Sequence, residues 1–237
     1  GLISTDGDSA TFTDNSTISG WYVNSEEMDS NSDEYFAEDG TSAGGEVFSF
    51  GDDGDSDRAL GYTGSGGNDY FNVAVRLEND TGITIEKIEV SYVGEQWRSG
   101  GDSSDNNNLL EFSYQTFTSG SGSLPASTSL TGWTEVNSLD FTPPQTSVSA
   151  GNLDGNLSAN QTSFSNITIS SLSWADGDEL WLRWTGDNGS GSDAGIGIDD
   201  FSVSAIPEPS TYGAIGGILA LVMVLYRRRK QAAAQEC

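Results

Sequence analysis

From Tyr70 to Leu77 every second residue with a large apolar side chain falls in one phase: Phe71, Val73, Val75 and Leu77 share one face of an extended chain, and Asn72, Ala74 and Arg76 share the other. A period of two calls for a strand with one face buried, because a helix would scatter the same residues around its axis. The pattern returns at Leu110, Phe112 and Tyr114, and again at Leu180, Leu182 and Trp184. Further β-prone runs at 10–13, 20–23, 46–50, 83–97, 133–141, 163–170 and 196–204 are separated by Gly, Asn, Asp and Ser, the residues that make turns. Short strands at turn-rich intervals, with no helical periodicity before residue 206, predict an all-β chain folded as a jelly-roll-like β-sandwich over residues 1–205. No internal repeat or Pro/Gly break divides that stretch.

Three local expectations follow. Residues 24–45 carry many acids and few apolar groups and read as a long surface loop. The apolar phase changes between Ile85 and Ile88, which a bulge would reconcile. At the end of the sandwich Ile196 and Ile198 share one phase while Phe201 and Val203 share the other, so Asp199 and Asp200 stand where the strand switches faces.

The chain ends differently. Pro207-Glu208-Pro209 opens a motif at 206–211, an uncharged apolar run follows at 212–226, and Arg227, Arg228, Arg229 and Lys230 begin a basic tail at 227–237. Fifteen residues rise roughly 22 Å as a helix, short of the roughly 30 Å hydrocarbon core, and flanking arginines absorb such a mismatch by snorkelling. The run has no polar face and abuts four consecutive cations, which fits a single membrane helix better than a core helix. Positive residues stay inside, so residues 1–205 are expected outside the membrane, with a secretion signal expected upstream.

This ordered triplet of Pro-Glu-Pro, apolar helix and arginine cluster resembles the PEP-CTERM sorting signal of Gram-negative bacteria. The resemblance covers 206–230 and implies handling by an exosortase, a membrane-embedded cysteine enzyme, with delivery to the cell surface or extracellular matrix. Pro-x-Pro alone is also a stiff spacer before a membrane. Segments such as DRALGY, YVGEQWRSGG, LDGN and GIDDFSV are similar to a recurrent extracellular β-sandwich of bacterial surface proteins. That similarity implies a fold and no particular chemistry.

Composition removes several functions. There is no histidine and the one cysteine is Cys237, which excludes Ser-His-Asp and Cys-His catalysis, the usual zinc ligand sets and an intrachain disulfide. The net charge is −27, and only Arg58, Arg76, Lys87, Arg98 and Arg183 are basic before the tail, so a nucleic-acid backbone would be repelled.

Two places are candidate sites. In the strand 179–185, alternation puts Glu179, Trp181 and Arg183 on the face opposite the leucines, a flat ring beside charged groups that suits a sugar. The alternative is an indole covering the sheet beneath Arg183, and Trp97 with Arg98 has the same two readings. At Asp199 and Asp200 an inward carboxylate needs compensation, either by structural calcium or by Arg58, Arg98 or Arg183. The loop 52–57 is acidic but lacks the downstream Glu of an EF-hand. The expectation is therefore a non-catalytic structural or adhesive surface module requiring no cofactor. The alternatives are a carbohydrate-binding module for extracellular polysaccharide and a carboxylate-based glycoside hydrolase.

Overall fold

Every residue of the strand Glu179–Asp187 but the last is buried, on both faces, and the rest of the architecture follows from that. In the computed structural model, residues 1–30, 33–66, 69–101, 108–189 and 191–206 are described; all of the motif at 206–211 but Ile206, the apolar run at 212–226 and the basic tail at 227–237 lie outside them. Among the described residues no helix is long and apolar enough to cross a membrane.

The strands run β1 (Ser9–Thr11), β2 (Trp21–Ser25), β3 (Glu34–Glu38), β4 (Val47–Phe50), β5 (Ala59–Thr63), β6 (Tyr70–Glu78), β7 (Ile88–Ser99), β8 (Glu111–Phe117), β9 (Thr134–Glu135), β10 (Gly151–Asn152), β11 (Gln161–Ile169), β12 (Glu179–Asp187) and β13 (Gly195–Ala205). They form two sheets, an all-β sandwich with one short helix, α1 (Glu26–Ser30), among the described residues. One sheet has the order β2-β6-β12-β8-β9; the other has β1-β3-β4-β5-β13-β7-β10, with β11 also pairing β7. Every pairing is antiparallel except β3 with β4.

Between the sheets lie the residues that the alternation selected, Phe71, Val73, Val75, Phe112, Leu180, Leu182 and Trp184, against Leu60, Tyr62, Val90, Tyr92, Ile196 and Ile198. Trp184 is the hub. Its ring stacks on Trp21 at 6.0 Å and meets Tyr92, Phe112 and Phe201 edge-on at 5.3, 5.1 and 5.5 Å.

Several expectations are corrected. Residues 24–45 hold α1 and β3 because Tyr35 and Ala37 alternate into the core, a short pattern hidden among acids. Ile85 is not part of β7; it forms an isolated bridge with Trp174, so the change of phase before Ile88 marks the start of the strand and not a bulge within it. Residues 133–141 give β9, a 3-10 turn at Asn137–Leu139 and an isolated bridge from Phe141 to Leu110 in place of one strand. Strand β5 has no alternation to read, since all five of its residues are buried and Gly61 lies against β13, where an added Cβ would fall 2.1 Å from the Ile196 carbonyl oxygen.

Candidate functional site

The first candidate platform is covered. Trp181 is 2 % exposed, Glu179 3 % and Arg183 not at all, because residues 118–133 cross the outer face of β12 as a strap. Polar side chains of that face hold the strap by its backbone: Asn72 Nδ2 donates to the carbonyls of Pro125 and Ser127, each at 3.1 Å, and Arg183 Nη1 donates to that of Ser129 at 3.2 Å. The Gly120 amide donates to Glu179 Oε1 at 2.9 Å. Trp133 closes over Arg183, with its ring 4.1 Å from the guanidinium carbon. Burial lowers the Arg183 pKa to about 10, partly offset by Glu111, and its Nε donates to Ser113 Oγ at 3.1 Å. Glu179 receives Trp181 Nε1 at 3.0 Å and Arg76 Nη1 at 3.3 Å. Neither expectation for this face holds as made: Trp181 is buried against Glu179, Tyr22 and Phe117, and the ring that Arg183 meets is Trp133.

The opposite outer face repeats the device. Trp97 Nε1 donates to Glu95 Oε2 at 2.9 Å, two residues back as in the Glu179 and Trp181 pair, and a loop crosses the indole. In each case a glycine makes room: a Cβ on Gly155 would lie 2.3 Å from Trp97, and one on Gly122 2.3 Å from Trp181. Arg98 reaches the carbonyls of Gly40 and Thr41, each at 3.1 Å. The two Glu-x-Trp sequences therefore lock loops onto sheets, and their rings offer no open stacking face.

The second candidate lies at an opening. Strand β13 pairs with β7 through Asp199 opposite Val93, and pairing resumes with Ser202 opposite Ser91, three steps on one strand against two on the other. One extra residue is inserted there, a bulge, and Asp200 takes a φ of +51°, a left-handed conformation that Asp tolerates better than most residues. The insertion turns Phe201 and Val203 into the phase that Ile196 and Ile198 held, as the sequence pattern required. It also leaves a slot of about 260 Å³ beside the bulge. Leu2, Ile18, Leu60 and Ile198 wall it with aliphatic groups, Trp21 and Phe201 with rings, and Arg58, Asp199 and Asp200 with polar groups. Trp21 and Phe201 are half-buried and meet edge to face at 5.5 Å.

None of the three arginines expected as partners is bonded to Asp199. Arg58 turns away, Nε donating to Ser49 Oγ at 3.0 Å, Nη1 to the Asp52 carbonyl at 2.9 Å and Nη2 to the Ser49 carbonyl. Burial lowers its pKa against the raising pull of Asp6, Asp55, Asp52 and Asp53. Burial raises the Asp199 carboxyl from its ordinary value to about 6, and the neighbouring Asp200 and Asp57 carboxyls add to the rise. For a metal, the one group of three or more acidic ligands with oxygens within 4.8 Å of one another, among the described residues, is Asp6, Glu38 and Asp39 rather than the Asp199 and Asp200 pair.

Sequence reasoning missed Trp21, Ile18 and Leu2. A tryptophan opening a strand after Gly20 was visible, but only the long-range pairing of β2 with β6 carries it under the β13 bulge.

No family model and no curated protein matches the chain. Among solved structures it is similar to the carbohydrate-binding module TmCBM61, in complex with β-1,4-galactotriose, at 8 % identity over 80 % of this chain and 90 % of that one, with a TM-score of 0.36. It is also similar to the enzymatically active domain of tailspike protein 4 of bacteriophage CBA120, at 9 % identity over 80 % and 20 % and a TM-score of 0.37. A third likeness is to carbohydrate-binding modules of the β-sandwich superfamily, at 9 % identity over 84 % and 63 % and a TM-score of 0.35. Likenesses this slight carry no function to the present chain.

Proposed function

We propose that this chain is an exported, non-catalytic sugar-binding β-sandwich of jelly-roll type, holding one ring of an extracellular polysaccharide in the slot at the β13 bulge. The observation that carries this reading is the slot's lining: two aromatic rings and four aliphatic side chains for the apolar face of a sugar, with carboxylates at the rim for its hydroxyls. Its size suits a single small ring.

The test is gel retardation of the full chain, in mild detergent, by a panel of soluble polysaccharides. At least one should retard it, and Trp21→Ala should weaken that binding by about thirtyfold, the loss of roughly 2 kcal/mol of ring contact. An unretarded parent chain, or a folded Trp21→Ala variant that binds as well, would remove the reading.

The tail completes the proposal. Pro207, Glu208 and Pro209 are the exosortase recognition element, 212–226 the single membrane helix, and Arg227, Arg228, Arg229 and Lys230 the cytoplasmic stop, so the sandwich reaches the cell surface or matrix. Alanine at all three motif positions should leave uncut protein in the inner membrane of an exosortase-bearing host. Trimming and release equal to the parent's would make the tail an anchor only.

Structural calcium is a rival occupant of the same carboxylates, Asp199 and Asp200 with Asp57 alongside, and an ion held there would compete with any cationic group of a ligand. Calcium should raise the melting temperature above magnesium at equal ionic strength, because magnesium screens equally well but fills a protein oxygen site poorly. Loss of that rise in Asp199→Asn assigns the ion here; loss only in Asp39→Asn moves it to Asp6, Glu38 and Asp39. Equal shifts with both ions reduce the effect to screening.

A further inference from the structure

Resting on the sugar-binding reading of the slot, we propose that the slot selects a sugar bearing a free amine, such as an unacetylated hexosamine, over neutral, N-acetylated and uronic sugars. The slot comes first: its walls are apolar and aromatic, so what distinguishes one sugar from another is the polar equipment at its mouth. That equipment is one-sided. Asp199 and Asp200 line the opening, and the Asp57 carboxyl stands near enough to Asp199 to raise its pKa.

The one cation in the lining does not balance them. Arg58 directs Nε, Nη1 and Nη2 at Ser49 and at the Asp52 carbonyl, and the Ser49 hydroxyl in turn donates to the Ile3 carbonyl at 2.7 Å. The guanidinium thus fastens the N-terminal segment and the acidic loop together and presents no fork toward a ligand. A uronate or sulfated sugar would bring its anion against the Asp199 and Asp200 carboxylates, inside a chain of net charge −27. An ammonium there meets carboxylate acceptors from Asp199 and Asp200. The acetyl group of an N-acetylated sugar removes the charge and adds bulk at the same mouth.

The geometry of the bulge suits this role. The left-handed backbone at Asp200 leaves that residue exposed at the rim while Asp199 stays half-buried beside it, so one carboxylate faces solvent beside the aromatic walls. A charge-assisted hydrogen bond formed there is strong enough to give about a tenfold preference.

The experiment titrates the full chain at pH 6 with a β-1,4-glucosamine tetramer, its N-acetylated counterpart, a neutral glucose tetramer, a galacturonate tetramer and the linear tetra-amine spermine. The glucosamine tetramer should bind at least about tenfold tighter than any other, weakening as salt is raised. Asp200→Asn, which keeps a residue at home in the left-handed region, should shrink the ratio of amine to neutral binding toward one. Leu2→Trp, which fills the slot from the N-terminal segment, should abolish glucosamine binding.

Equal or tighter binding of the neutral or N-acetylated tetramer would overturn the amine preference and leave the slot as a sugar site. Equal binding of spermine, or of glucosamine by the Leu2→Trp chain, would show general attraction to an acidic surface and overturn it as well. If no tetramer binds, the sugar-binding reading itself falls.

Discussion

Replacing Trp184 with alanine should cost about 3–5 kcal/mol of folding free energy, the range for emptying a fully buried aromatic position. The indole has no exposure, and rings from β2, β7, β8 and β13 meet on it. Those four strands come from both sheets, so the cavity would open in the middle of the sandwich, where neighbours anchored by hydrogen-bonded ladders cannot collapse into it. Trp21 and Phe201 also use Trp184 as their support, so sugar binding should weaken along with stability. Urea unfolding of the parent and variant measures the loss. A difference under about 1.5 kcal/mol, the size of a volume-conserving change, would contradict this packing.

Stability should also fall as the pH rises through neutrality, and one acid accounts for much of the change. Glu95 is 3 % exposed and accepts from Trp97 Nε1 and from Gln161 Nε2, at 2.9 and 3.1 Å. Burial raises its pKa from the ordinary 4.5 to about 7; the Trp97 and Gln161 bonds pull the other way, and the Asp199 and Asp57 charges add to the rise. Because the folded state holds the proton more tightly than the unfolded one, the contribution is full below about pH 4.5 and is lost as the pH climbs to about 7. At about 1.4 kcal/mol per pKa unit the loss amounts to about 3 kcal/mol. Asp199 shifts in the same direction and adds to it, while Glu179, whose pKa is lowered chiefly by the Trp181 bond against the cost of burial, acts oppositely at acid pH. Glu95→Gln should flatten the curve between pH 5 and 8 by about 3 kcal/mol. Its Oε1 keeps the Trp97 bond and its amide can meet Gln161 after that side chain flips. A variant with the parent's pH slope would mean that Glu95 is charged when folded.

The strands whose two faces differ were legible in the sequence. Phe71 to Leu77, Leu110 to Tyr114 and Leu180 to Trp184 lie where alternation put them, and the change of phase at Asp199 and Asp200 is a bulge. What alternation cannot report is a strand covered on both sides. Trp181 and Arg183 stood on the polar face of β12, but residues 118–133, a Gly/Ser-rich stretch without period, return over them and are held by Asn72 from more than fifty positions away. Strands β3 and β5 were missed for related reasons, one hidden by acids and the other interrupted by Gly61. The acidic pair at the bulge was legible, whereas its aromatic neighbour Trp21 was not, because nothing local ties residue 21 to residue 201.

A sugar ring held between Trp21 and the β13 bulge can be detected directly, because the chain's six tryptophans report on their own surroundings. With the indole nitrogens of the full chain labelled with nitrogen-15, a glucosamine tetramer and a neutral glucose tetramer can each be titrated while the side-chain N–H signals are followed. The Trp21 signal should move with whichever tetramer binds, while those of Trp97 and Trp181, locked to Glu95 and Glu179 beneath their loops, stay in place. Movement of Trp133 and Trp181 with Trp21 unchanged would put the ligand on the strap of the other sheet and contradict the account.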